Sequence, residues 1–149
     1  MQHRMCRRDF LYRFKTKKMA DKKIILAIDD DPMTLQVFTA MLTPVYGLRG
    51  SKSAAEAMAL LENQKPDLIL LDIEMPDISG FEFIRIIKKN PKYMKIPVVI
   101  VSGHSEEKFV VHAEKNGAIC VVAKPIDRND LFTKIRFAFD NPDRNSLVI

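Results

Sequence analysis

The sequence predicts an α/β protein built as a doubly wound, five-stranded parallel sheet with five helices. Three observations carry this. Short apolar runs alternate with segments of helical spacing from residue 24 onward. Four of those runs are apolar throughout, as strands covered on both faces must be. Asp29, Asp30, Asp72, Ser102 and Lys124 all sit at or just past the carboxyl ends of the runs, where such sheets place their sites.

The first strand reads Ile24–Asp29. Asp31 can cap the helix that follows, with Pro32 at its first position and Leu35, Phe38 and Leu42 on one face. Val45–Gly50 is less apolar and fits an edge strand. Ser53 can cap the next helix, which carries Ala54, Ala57, Met58 and Leu61. The strand Leu68–Asp72 ends in an acid, and the turn signal Met75-Pro76-Asp77 comes next. That turn is expected to leave the Asp72 side chain exposed in a loop mouth. A helix over Gly80–Lys89 carries Phe83, Ile84 and Ile87. Pro97–Ser102 is the next strand. Ser105–Asn116 then carries Phe109, Val110 and Ala113 and stops at Gly117. The last strand is Ile119–Ala123, and the last helix, Asp127–Asp140, carries Leu131, Ile135, Ala138 and Phe139.

At 149 residues the chain is long enough for one domain, and 47% hydrophobic residues suffice for its core. The domain is read as residues 23–140, with an extension at 1–22 and a short tail at 141–149. No apolar run approaches the ~20 residues of a membrane helix, and no apolar h-region follows the basic N-terminus. Two cysteines, Cys6 and Cys120, make no disulfide framework. Cys120 reads as a small buried hydrophobe, and a reducing, cytoplasmic location is expected. Charge is uneven. Residues 1–23 hold nine Lys and Arg against Asp9 and Asp21, a surplus of +7 that leaves −2 for the rest of a total of +5. Basicity therefore belongs to the extension, and nucleic-acid binding by the domain is not implied. The extension interleaves basic residues with Phe10, Leu11, Tyr12 and Phe14, a pattern compatible with anionic surfaces. It reads better as a disordered leader upstream of a start at Met19.

Three adjacent carboxylates repel one another, so Asp29-Asp30-Asp31 at a strand end calls for a reason. Asp31 is accounted for as a helix cap. Asp29 and Asp30 beside Asp72 form a hard-oxygen cluster suited to Mg²⁺. Lys124 supplies a point charge for phosphoryl oxygens and Ser102 a hydroxyl donor. A carboxylate in that setting can attack phosphorus, and Asp72 is the candidate nucleophile. Singly, Ser102 is an ordinary turn residue and Lys124 a solvated loop lysine; four strand ends supplying complementary chemistry make a site. His104 reads as a surface residue, because neither His3 nor His112 nor a cysteine is spaced to join it at a metal.

These residues resemble the receiver domain of two-component response regulators, with the single-domain chemotaxis regulator as prototype. The matching stretches are IILAIDDDP, LILLDIEMPDISGFE, IPVVIVSGHS and GAICVVAKPID. The resemblance implies the flavodoxin-like (βα)5 receiver fold and a role for each position. Asp72 would be the phosphoacceptor. Asp30 would be a direct Mg²⁺ ligand, Asp29 a direct or water-mediated one, and the Glu74 backbone carbonyl would complete the protein's share. Ser102 and Lys124 would contact the phosphoryl group, and Lys124–Pro125 would be cis. Glu74 and His104 occupy the two positions that tune phosphoryl lifetime. In one departure, Val121 stands where the family usually has the aromatic switch, and a valine cannot swing a ring.

The function implied is a stand-alone receiver that takes a phosphoryl group from a histidine kinase or histidine phosphotransfer protein. It would signal by protein binding or phosphorelay. No enzymatic activity is implied beyond self-phosphorylation and self-dephosphorylation of one aspartate, and no DNA-binding domain is expected. The output surface would be the 105–140 face, where Phe137 lies nearly opposite the Leu131/Ile135/Ala138 stripe. Two rivals stand beside this. A haloacid-dehalogenase-like Mg²⁺-dependent phosphatase would use Asp29-Asp30-Asp31-Pro32-Met33, but Met33 falls where Thr or Val is expected. A phosphorylation-independent interaction module would need a vestigial site, whereas every chemical position is filled.

Overall fold

The structure, a computed structural model, describes residues 22–142. The extension, with Cys6 and His3, and most of the 141–149 tail lie outside the described residues. The strands are β1 Ile24–Ile28, β2 Gly47–Ser51, β3 Leu68–Asp72, β4 Val98–Ser102 and β5 Cys120–Ala123. The helices are α1 Pro32–Leu42, α2 Ala54–Asn63, α3 Gly80–Lys89, α4 Glu107–Lys115 and α5 Arg128–Asp140. All strand pairs are parallel, in the order β2-β1-β3-β4-β5. The order reverses between β1 and β3, so a crevice opens beyond their carboxyl ends.

Alternation along each strand splits the core in two. Leu26, Ile28, Ile69, Leu71, Val98 and Ile100 meet α2, α3 and α4 on one face. Ile25, Ala27, Leu68, Leu70, Val99 and Val101 meet α1 and α5 on the other. Strands sandwiched this way must be apolar at every position, which is why the runs showed no period of two. Each fully buried Leu, Ile or Phe here contributes roughly 1.5–3 kcal/mol.

Helix starts follow the expected chemistry. Asp31 accepts the Met33 N–H, Ser53 the Glu56 N–H and Asp127 the Asp130 N–H. Besides one-residue differences at the ends of β1, β4 and β5, four details differ from the sequence reading. β2 begins at Gly47 rather than Val45, because the N–H groups of Val45 and Tyr46 both turn back to the Leu42 carbonyl, at 2.9 and 2.7 Å. α4 begins at Glu107 rather than Ser105; Glu106 occupies the cap position and makes no side-chain cap bond. Cys120 is half-buried rather than buried, since it lies on an edge strand. The fourth, the burial of Asp72, belongs to the site. Gly117 ends α4 at φ +112°, a left-handed conformation suited to glycine. The Lys124–Pro125 bond is cis, as expected.

Candidate functional site

Each functional side chain is delivered by a strand end. Asp29 follows β1 and is anchored by its own N–H, which donates to the Ser51 carbonyl at 2.9 Å. Its side chain is 1% exposed. One carboxylate oxygen accepts the Asp31 N–H at 2.9 Å, and the other accepts Lys124 Nζ at 3.0 Å. Asp30 is exposed beside it. Asp31 also borders the cavity but caps α1: its oxygens accept the Met33 N–H and the Thr34 hydroxyl, both at 3.0 Å.

Asp72, the last residue of β3, is only 8% exposed. The expectation of an exposed side chain is therefore corrected. The loop after β3 folds back over its root rather than away from it: the Gly80 N–H donates to the Ile73 carbonyl at 2.8 Å. A Cβ on Gly80 would stand 2.6 Å from the Asp72 carbonyl oxygen and 2.8 Å from Ile73 Cα, so only glycine permits this approach. Burial raises the Asp72 pKa to about 6, with the Asp29 and Asp30 charges adding to it; Lys124 and the Glu74 N–H offset part of the rise. Lys124 Nζ lies 3.6 Å from Asp72 Oδ1. Burial disfavours the ammonium of Lys124, but Asp29 and Asp72 outweigh it, and its pKa is raised.

Ser102 ends β4 and is buried. Its oxygen accepts the His104 N–H at 3.1 Å, a bond that does not use the hydroxyl proton. Its carbonyl accepts the Lys124 N–H at 2.8 Å, which ties the hydroxyl and lysine strands together. His104 is exposed, as expected; its ring centroid lies 5.7 Å from that of Phe109. Val121 is buried in the core beneath this end of β5.

A cavity of about 350 Å³ brings these residues to one place: Asp29, Asp30, Asp72, Glu74, Ser102 and Lys124 all line it. The carboxylates of Asp29, Asp30 and Asp72 offer oxygens within 4.8 Å of one another. Three hard oxygen donors, two of them buried, fit a divalent cation such as Mg²⁺. The raised pKa of Asp72 comes first from burial and only then from the Asp29 and Asp30 charges, and a bound cation would relieve that second part.

Sequence reasoning missed Asp77. Its carboxylate accepts the Ala54 N–H at 3.2 Å and the Ala55 N–H at 3.0 Å, so the β3–α3 loop is fastened to the first turn of α2. The sequence offered only a turn signal there. Ser51, whose carbonyl anchors Asp29, was likewise invisible.

Fold and site together define a class: flavodoxin-like α/β domains with an acid cluster, a hydroxyl and a lysine at the strand ends. Comparison with known proteins narrows it. The model of the response regulator receiver domain matches residues 25–136. The protein PilH of Pseudomonas aeruginosa is 33% identical over 112 residues, covering 74% of this chain and 93% of PilH. The CAI-1 autoinducer sensor kinase/phosphatase CqsS of Vibrio cholerae is 30% identical over 122 residues, which make up only 18% of that larger protein. Among solved structures, a CheY-like receiver domain protein from Methanospirillum hungatei superposes with a TM-score of 0.72 at 28% identity, covering 83% of this chain and 98% of that one. The chemotaxis regulator CheY4 of Vibrio cholerae shares the fold, with a TM-score of 0.73 at 22% identity. The chain belongs to the response regulator receiver domain family of two-component signalling.

Proposed function

We propose that this receiver accepts a phosphoryl group on Asp72 from a phosphohistidine of a histidine kinase or histidine phosphotransfer protein. The observation that carries the reading is the setting of Asp72. Its buried carboxylate faces a cavity with Lys124 Nζ at 3.6 Å, and Ser102 lines the same space. An Asp72 carboxylate oxygen attacks phosphorus, the P–N bond breaks, and the imidazole leaves with the electron pair. Lys124 and the Ser102 hydroxyl stabilise the phosphoryl oxygens as charge shifts onto them. Asp29, Asp30 and Asp72, with the Glu74 carbonyl, would hold Mg²⁺, which supplies neutralising charge for carboxylates and phosphoryl group alike. Similarity to a sensor kinase/phosphatase supports a partner of the kinase class.

The product is a phosphorylated receiver that signals by protein contact through the 105–140 face or by onward phosphorelay. Val111 and Phe137 are exposed on α4 and α5, where such a partner would seat. Because position 121 is a buried valine, the change on phosphorylation must run through Ser102 and the loop after it rather than through a swinging ring. The phosphatase alternative is disfavoured by Asp31, whose oxygens are committed to capping α1. Incubation with radiolabelled acetyl phosphate and Mg²⁺ tests the reading. Stoichiometric, Mg²⁺-dependent label that is lost in Asp72→Asn is expected. Steady turnover of phosphomonoesters, or no label at all, would refute it.

A further inference from the structure

The β3–α3 loop carries Glu74, which lines the cavity and whose backbone carbonyl is the proposed further ligand of the cation. Its base is closed by the Gly80–Ile73 hydrogen bond, but its crown has no regular structure of its own. Asp77 supplies the missing fixture. Its two carboxylate oxygens take the Ala54 and Ala55 N–H groups, across 23 and 22 residues of chain. Those donors are the first two of α2, which no intrahelical carbonyl can reach. Ser53 takes the next one, from Glu56, so the two caps divide the helix end between them.

The anchor point is itself tied to the other half of the site. The Ser51 carbonyl accepts the Asp29 N–H at 2.9 Å, and the Ser51 hydroxyl donates to the Ser53 carbonyl at 2.7 Å. A continuous chain of hydrogen bonds therefore runs from Asp29 through Ser51 and Ser53 to the start of α2, and from there through Asp77 into the loop of Glu74. It joins the β1 carboxylates to the β3 loop along a route that avoids the cation cavity.

We propose that Asp77 is a positioning residue: by clamping the β3–α3 loop to the start of α2, it holds Glu74 at the distance from Asp29 that a bound cation requires. The inference rests on the phosphoacceptor reading above and adds to it a residue outside the cavity. A group that orients the ligands of a metal typically changes its affinity by about tenfold or more when removed. Asp77→Ala should therefore raise the Mg²⁺ dissociation constant of the full chain about tenfold, measured by calorimetric titration with MgCl₂.

Two further readouts separate positioning from general damage. Labelling of Asp77→Ala by acetyl phosphate should need more Mg²⁺ for half-maximal rate, yet recover to within about twofold of the unmodified protein at saturating Mg²⁺, because the reacting groups are untouched. Ser53→Ala removes a side-chain cap from the same helix end but keeps the Ser53 carbonyl that Ser51 holds and does not release the loop, so it should leave the Mg²⁺ dissociation constant unchanged. Should Asp77→Ala fail to fold, Asp77→Asn retains one acceptor oxygen and should give a smaller shift in the same direction. Unchanged affinity in the Asp77 variants overturns the proposal, as does an equal loss in Ser53→Ala. If the unmodified protein takes up no Mg²⁺, the phosphoacceptor reading fails and this inference fails with it, a result distinct from either of those.

Discussion

Replacing Asp72 with asparagine should make the metal-free protein more stable. The folded-state pKa of Asp72 is raised from 3.8 to about 6, so ionisation is harder in the folded chain than in the unfolded one. Between those two values the folded state binds more protons, and stability falls as pH rises. Above pH 6 the penalty is complete. Two pH units at 1.36 kcal/mol each put it at about 3 kcal/mol. Asparagine keeps the shape and removes the charge. Lys124 is not orphaned, because Asp29 holds it at 3.0 Å. Urea unfolding of both proteins in EDTA provides the assay. At pH 8 the variant should be more stable by up to about 3 kcal/mol, and the gap should close as pH falls from about 6 to about 4. Millimolar Mg²⁺ should stabilise the unmodified protein by mass action and barely affect the variant. A variant less stable than its parent at pH 8 in EDTA, or a gap that persists at pH 4, would refute the claim that Asp72 sits in an electrostatically unfavourable place.

The other substitutions probe the supports of the site. Lys124→Ala leaves the buried Asp29 carboxylate without its cation and should cost roughly 2 kcal/mol at pH 8, read by urea unfolding. The same change should slow acetyl phosphate labelling even at saturating Mg²⁺, unlike the Asp77 variants, because Lys124 Nζ, 3.6 Å from Asp72 Oδ1, would face the incoming phosphoryl group. Gly80→Ala drives a methyl group to 2.6 Å from the Asp72 carbonyl oxygen. The loop must shift, which should cost about 1–3 kcal/mol and weaken Mg²⁺ binding together, measured by thermal unfolding and titration.

Much of the fold was legible because its causes are local. Four strands had to be apolar on both faces, and two helix starts carried expected caps that the structure uses, Asp31 and Ser53. The errors fell where a neighbour decides. Val45 and Tyr46 read as strand, but the Leu42 carbonyl captures both their N–H groups. Ser105 read as the start of a helix that begins two residues later. The site was legible as a set of residue types, since an acid pair, an acid, a hydroxyl and a lysine each end a recognisable run. Asp77 was not, because its partners lie more than twenty residues earlier and nothing in a turn motif names them.

The sequence by itself determined the alternating strands and helices, the family, and which residues line the candidate site. Periodicity and capping act over one turn or one strand, so they are written in neighbouring positions. The tertiary structure alone decided how those residues behave. It buried Asp72, gave Lys124 to Asp29 across 95 residues of chain, and clamped the Glu74 loop to α2. Desolvation and Coulomb energy depend on distance and surroundings in space, and neither is a property of any short stretch of chain.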